Sequence, residues 1–128
     1  MSEPVVFTFP LPLNVANARL HHMAKHRAKV AYWQVLDMGV MGRRIPRPPA
    51  RPWPRIRLDV EMRPVREMDH DNAEARLKWS LDWLTSRGYL AGDTPRHIER
   101  TGLIRQTKIT SRQDASVVLT VTPLEVAA

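Results

Sequence analysis

Cysteine is absent from this chain of 128 residues, and its absence excludes several classes of protein. Without thiols there can be no disulfide framework, no zinc site built on thiolates and no cysteine nucleophile. Any metal must therefore be held by oxygen or imidazole ligands. Glycine is also scarce, with five residues, and the chain contains neither a glycine-rich nucleotide loop nor a serine nucleophile motif.

Long apolar runs are missing as well. No segment approaches the roughly 20 apolar residues that are needed to cross a bilayer. The start of the chain, Met1-Ser2-Glu3-Pro4, lacks the charged and then apolar layout of a secretory signal. We therefore expect a soluble, intracellular protein of the cytoplasm. Its length suits one domain over residues 1–128, with no room for a second core.

Acidic residues are outnumbered by basic ones. The 13 Asp and Glu stand against 20 Lys and Arg, which gives a net charge of +7 and a pI near 10.8. Sixteen of the twenty cations are arginine, whose planar guanidinium suits phosphate oxygens. A polyanion is the expected partner, although charge alone does not identify it, because a basic surface also suits anionic lipid or plain solvation.

The hydrophobic pattern predicts an α/β (α+β) fold in the order β-α-β-α-β-β, with a mixed sheet of about four strands covered by two helices. The clearest strand alternates apolar with charged residues from Ile56 to Arg63. Gly39 and Gly42 are expected to end the first helix, and Gly88 the second. Strands are predicted at residues 5–9, 56–63, 98–109 and 116–122, and helices at 17–38 and 72–87.

The first helix carries an apolar stripe that is expected to face the core, through Leu20, Ala24, Ala28, Ala31, Val35 and Met38. Cationic side chains lie off this stripe and predict a basic, DNA-binding face, formed by Arg19, His22, Lys25 and Lys29. In the second helix, Trp79 and Trp83 lie four residues apart. They fit either a core or dimer interface, or a platform for stacking bases.

Residues 43–55 combine arginine with five prolines. Such a segment cannot be helix or sheet interior, so we expect an extended, stiff loop that holds its arginines outward. It is either an arm that grips phosphates or a solvated linker. In the first interpretation the DNA-binding residues of the loop are Arg43, Arg44, Arg47 and Arg51.

The sequence Asp69-His70-Asp71-Asn72 joins the best strand to the second helix, a position where binding groups are commonly displayed. Two carboxylates one residue apart in extended chain project to the same side, so both can meet one hard cation such as Mg²⁺ or Mn²⁺. That cation would activate water for attack on a phosphate. In the alternative interpretation, Asp71 is the helix N-cap and Glu74 completes a capping box.

Lys78 and Asp93 extend this group. Lys78 lies two helical turns after Asp71 on the same face, where it can approach a phosphate or pair with Asp82. A helix of sixteen residues carries the chain about 24 Å from Asp71. The five residues from Gly88 to Asp93 span at most about 18 Å. Asp93 therefore reaches the acid pair only if the helix is shorter or bent, or if a second subunit contributes.

These segments, together with Leu81-Asp82-Trp83-Leu84 and Gly88-Tyr89-Leu90, resemble the D-x-D-N, K, x-x-x-D-x-L, G-x-x, D-D pattern of RusA-type Holliday junction resolvases over about 25 residues. The resemblance implies a RusA-like homodimer that binds four-way DNA junctions and cuts symmetric strands with Mg²⁺, or Mn²⁺. Its setting would be DNA recombination and repair, with a phage or prophage source. Asp69, Asp71 and Asp93 would bind metal, and Lys78 would join them as a catalytic residue.

One departure from this pattern concerns the second acidic motif. The chain has Gly92-Asp93 where the family has paired acids. A missing carboxylate lowers the local negative charge and weakens cation binding. A weakened or inactive nuclease, acting as a basic DNA-binding module, is therefore the alternative to the active enzyme.

Overall fold

A computed structural model describes residues 3–12 and 22–124, with only the backbone described at His22. These residues form two helices and a mixed sheet of five strands, which confirms the predicted α+β class. The elements are β1 (Val5–Pro10), α1 (His22–Met41), β2 (Ile56–Arg63), α2 (His70–Ser86), β3 (Ile98–Arg100), β4 (Arg105–Gln106) and β5 (Ser116–Pro123). Neither of the described helices is long and apolar enough to span a membrane.

The sheet is built around β5 and β2. Strand β5 pairs antiparallel with β1 on one side and with β2 on the other. Both β3 and β4 pair with β2 in parallel, β3 near its start and β4 near its end. The single strand predicted over residues 98–109 is therefore an interrupted edge strand. Thr101 and Arg105, on either side of the interruption, both bind the carboxylate of Asp59 on β2.

The buried residues form one hydrophobic cluster between the sheet and the helices. In β2, apolar residues alternate with exposed Arg57 and Arg63 as predicted, because one face of the strand covers the core. Trp79 and Trp83 on α2 are 9% and 0% exposed, so both belong to the core. The Trp83 ring meets that of Phe9 edge-on at 5.5 Å. Its indole nitrogen donates to Asp37 at 2.9 Å.

The inward face predicted for α1 is confirmed at Ala28, which packs against the core, and is wrong from Ala31 onwards. Val35 and Met38 are 48% and 62% exposed, while Tyr32 and Leu36 are buried. The helix buries Tyr32 and Leu36 because aromatic and leucine side chains remove more apolar surface from water than alanine or valine. The Tyr32 hydroxyl donates to the Pro10 carbonyl at 2.7 Å. Trp33 also faces inward, and its indole nitrogen donates to the Trp79 carbonyl at 3.1 Å, which joins α1 to α2.

The helix α1 does not stop at Gly39 but continues to Met41. Gly39 serves packing instead, because a Cβ there would lie 2.5 Å from Cδ1 of Ile45. The chain reverses at Arg43, whose φ of 61° lies in the left-handed region that glycine usually occupies. The amides of Arg43 and Arg44 then bind the carbonyls of Val40 and Gly39, at 3.1 and 2.9 Å. An arginine thus holds the position after the helix where glycine is favoured.

The end of α2 follows the prediction. Gly88 has a φ of 84°, and its amide binds the Thr85 carbonyl at 3.4 Å. The Tyr89 amide binds the Leu84 carbonyl at 2.9 Å, which completes the usual glycine-terminated motif. The helix α2 is therefore not shorter than predicted, and it runs over 17 residues.

Candidate functional site

The acid pair lies at the start of α2. Asp69 is the N-cap, and its Oδ1 accepts a hydrogen bond from the Asn72 amide at 2.8 Å. The predicted capping box at Asp71 is therefore wrong, because Asp69 satisfies the free amides first and the helix starts two residues earlier. Glu74 instead binds Arg100 through both carboxylate oxygens, at 3.0 and 2.9 Å. Asp71 consequently lies within the first helical turn.

Both acids of the pair are exposed. Asp71 makes no hydrogen bond or ion pair with any described residue, and one oxygen of Asp69 is likewise available. Mg²⁺ commonly binds one or two carboxylates and completes its shell with water and substrate phosphates. Asp69 and Asp71 meet that requirement by ligand type. The geometric premise of the sequence prediction is nevertheless wrong, because Asp71 is helical, and same-side projection of residues two apart holds only for extended chain. Within residues 3–12 and 22–124, however, no three His, Asp or Glu side chains come together as a metal site.

Asp93 lies at the opposite end of α2. The acid pair follows Met68, whose amide binds Gln106 of β4 at 2.8 Å, so the pair is close to the end of β2. Asp93 follows Ala91, whose amide binds the Trp53 carbonyl at 3.0 Å, just before β2 begins. The 17 residues of α2 separate the two ends by about 26 Å. A third ligand from Asp93 therefore requires a second copy of the chain.

Local packing explains why glycine occupies position 92, where the RusA pattern has an acid. A Cβ at this position would lie 2.6 Å from both Nδ1 and Cε1 of His97. An acid at position 92 would therefore require the imidazole to move. The ring is held in place by a hydrogen bond between His97 Nδ1 and the Thr94 hydroxyl at 2.9 Å. Asp93 itself is exposed and has no partner in the part of the chain that the structure describes.

Lys78 pairs with Asp82 as the helical spacing indicated. Its Nζ is 3.7 Å from Asp82 Oδ1, and 69% of the side chain is exposed. Exposed pairs of this kind contribute about 0–1 kcal/mol. The interaction is therefore weak enough for Lys78 to turn towards a phosphate.

The basic residues of α1 differ in their surroundings. Lys29 pairs with Asp82 at 3.3 Å and lies 4.9 Å from the centre of the Trp33 ring. Its amine already has an anionic partner, shared with Lys78, and an aromatic one, which weakens the prediction that it binds DNA. Lys25 is half-buried and has no ion pair with a described residue. The predictions for Arg19 and the His22 side chain fall outside the described residues.

The Arg/Pro loop, residues 43–55, packs against the end of α2 that is near Asp93. The Tyr89 hydroxyl donates to the Pro46 carbonyl at 2.6 Å, and the Trp53 amide donates to the Tyr89 carbonyl at 2.8 Å. The four predicted phosphate-binding arginines are exposed and form no ion pair with the described residues: Arg43, Arg44, Arg47 and Arg51. The loop is thus anchored by its backbone and leaves these charges uncompensated.

A second basic group was missed by the sequence prediction. A cavity of about 360 Å³ near the start of α2 is lined by three arginines and a set of apolar side chains, namely Leu11, Pro12, Pro64, Val65, Arg66, Arg76, Arg112 and Ala115. Arg76 donates through Nε to the side-chain oxygen of Asn72 at 3.2 Å. Arg66 and Arg76 are ten residues apart in the sequence and Arg112 is 36 residues further on, so no helical or strand spacing relates the three.

The described residues thus present an exposed acid pair, a third acid at the far end of α2 and two groups of arginines without carboxylate partners. No protein-family model and no curated protein matches this chain, so its function is inferred from these groups and from the motif resemblance.

Proposed function

We propose that the protein is a Mg²⁺-dependent endonuclease that hydrolyses phosphodiester bonds in branched DNA, including four-way junctions. The observation that carries this proposal is the pair Asp69 and Asp71, which leaves carboxylate oxygens unpartnered among the described residues of a chain with net charge +7. Carboxylates repel the phosphates that such a basic protein attracts, unless a cation lies between them.

The residues around the pair have separate tasks. The Asn72 amide orients one oxygen of Asp69 and leaves the other for a cation. When bound, Mg²⁺ or Mn²⁺ supplies activated water and neutralises the charge that develops on the phosphate. Lys78 lies about 10 Å from Asp71 along the same face of α2. In this proposal it binds a phosphate oxygen and orients the DNA strand.

A homodimer accounts for the position of Asp93. Two copies related by a twofold axis, with their α2 helices antiparallel, bring each Asp93 towards the acid pair of the other subunit. The dimer then has two equal sites, each made by both chains. Two sites related by symmetry suit cuts in opposed strands of a four-way junction.

The Arg/Pro loop supports the DNA in this arrangement. It lies at the Asp93 end of α2, so in the dimer it flanks the site to which the other subunit brings its acid pair. Contacts from arginine to phosphate fix the position of DNA without reading its sequence. Such contacts suit an enzyme that selects the shape of a junction.

Arg43 offers a test of this loop because its backbone lies in the left-handed region. Arg43→Gly should raise the free energy of unfolding by about 1 kcal/mol, since glycine relieves the strain. The same substitution should weaken junction binding and reduce the slope of log K against log salt by about 0.9, the value for one lost phosphate contact. Chemical denaturation and a salt titration of binding measure the two effects. Unchanged binding and slope would remove Arg43 from the DNA interface.

The proposal itself is tested with the wild-type protein and a synthetic junction with labelled strands. We expect cuts at symmetric positions in two opposed strands with Mg²⁺, none after chelation with EDTA, and little cutting of linear duplex. The second candidate function, a DNA-binding module without catalysis, is favoured by Gly92 and by the lack of a three-acid group in the described residues. Tight binding with no cutting in either Mg²⁺ or Mn²⁺ would favour that module.

A further inference from the structure

Three arginines that form no ion pair with a described residue meet around the cavity at the start of α2. Five other arginines form ion pairs with carboxylates of the fold: Arg57, Arg63, Arg87, Arg100 and Arg105. By contrast, Arg66, Arg76 and Arg112 line one cavity and form no ion pair with a described residue, and none of the described residues that line the cavity with them is a carboxylate. Three like charges are thus brought together without compensation.

Arg76 is partly buried, whereas Arg66 and Arg112 are exposed. The Nε of Arg76 donates to Asn72, whereas its two terminal nitrogens have no partner among residues 3–12 and 22–124. Burial lowers the pKa of the Arg76 guanidinium, since a charge removed from water is destabilised. An anion in the cavity would offset this cost with charge-assisted hydrogen bonds, which arginine forms best with phosphate and carboxylate.

The other walls of the cavity narrow the ligand class. They are apolar and come from Leu11, Pro12, Pro64, Val65 and Ala115. A simple inorganic anion gains nothing from such walls, whereas a ligand with both a phosphate and an apolar ring system uses both halves. The volume of about 360 Å³ lies at the small end of ligand sites, which span roughly 300–1,000 Å³. One nucleotide combines these properties.

The cavity is also connected to the acid pair. Asp69 accepts a hydrogen bond from the Asn72 amide, and the Asn72 side chain accepts one from Arg76. Along the helix, Arg76 is about 10 Å from Asp69. A strand with a phosphate at the acid pair therefore passes the cavity within a few nucleotides.

We propose that this cavity holds one unstacked nucleotide of branched DNA. Its phosphate binds Arg66, Arg76 and Arg112, and its base or sugar lies against the apolar walls. Taking a base out of the stack costs least where it is already unpaired or poorly stacked, as at a branch point. This inference rests on the proposed function, and it gives a physical source for selectivity towards branched over linear DNA.

The test uses a four-way junction with 2-aminopurine at the branch point, bound in Ca²⁺ to prevent cutting. Wild-type protein should raise the fluorescence of the probe because the base leaves the stack. Arg76→Gln combined with Arg112→Gln should lose most of that rise at saturation and bind about tenfold more weakly for each arginine removed. Arg96→Gln is the control for the loss of one such charge, since Arg96 is exposed, has no ion pair with a described residue and lies outside the cavity.

Thermal unfolding separates this result from misfolding. Arg76→Gln should leave the Tm unchanged or higher, because it removes an uncompensated charge. A double variant that keeps the full fluorescence rise at saturation would overturn the inference, even if its affinity falls. If wild type cuts the junction and the double variant matches Arg96→Gln in both readouts, only this inference fails. If wild type neither binds nor cuts the junction, the proposed function fails with it.

Discussion

Asp71→Asn should abolish the cutting of a four-way junction in Mg²⁺ while leaving junction binding intact or tighter. The change removes a charged ligand and keeps the size of the side chain. It also removes a negative charge from the surface that meets phosphate. The loss in single-turnover rate should exceed the 10–100-fold typical of residues that only support a metal ligand. The fold should lose at most about 1 kcal/mol, from the favourable field at the helix start.

Two further variants give this result its meaning. Asp69→Asn should also lose cutting, although asparagine caps a helix as well as aspartate does, so the helix should survive. Asp114→Asn makes the same charge change at an exposed residue outside the proposed site and should cut normally. If Asp71→Asn cuts within about threefold of wild type, a difference below 1 kcal/mol, Asp71 is not a metal ligand. The nuclease proposal would then lose the observation that carries it.

The parts of the fold that the sequence predicted well have one dominant signal each. In β2, strict alternation from Ile56 to Met62 leaves only one face that can be buried. At the end of α2, Gly88 is the residue that allows a left-handed turn. Each feature is decided locally, so no knowledge of distant contacts was needed.

The inward face of α1 shows how a local pattern fails. Two stripes compete on this helix, one of alanine, valine and methionine and one through Tyr32 and Leu36. Spacing alone fits both. The choice depends on partners elsewhere in the chain, since Tyr32 reaches the Pro10 carbonyl and lies 3.2 Å from the Ser80 hydroxyl. The buried face of α1 is therefore decided by residues outside the helix, which its own sequence does not reveal.

Some features of the candidate site were likewise predictable from local sequence and others were not. The location of Asp69 and Asp71 where the chain passes from β2 into α2 was predictable, although Asp71 proved to be helical, and so was the difficulty of reaching Asp93 along a full-length helix. The cap was assigned to the wrong aspartate, because both fit the pattern and only the observed helix start distinguishes them. The arginine cavity was not predictable, since Arg112 is brought to Arg66 and Arg76 by contacts between segments that are distant in the sequence.

A mixture of Asp71→Asn and Asp93→Asn subunits should recover cutting that neither variant has alone. In a dimer whose sites combine the acid pair of one chain with Asp93 of the other, the mixed dimer has one site with both changes and one intact site. Random mixing makes about half of the dimers mixed, so nicking should return to about a quarter of the wild-type rate. The product should be nicked rather than resolved, because only one strand is cut per dimer.

The matched control is a mixture of Asp69→Asn and Asp71→Asn subunits. Both changes fall in the same acid pair, so every site of the mixed dimer keeps a defect and no cutting should return. Co-expression with two affinity tags isolates the mixed dimers directly. Isolated mixed dimers of Asp71→Asn and Asp93→Asn that do not nick would exclude a site shared between subunits. Normal cutting by Asp93→Asn alone would show that Asp93 is not a ligand in either arrangement, within one chain or between two.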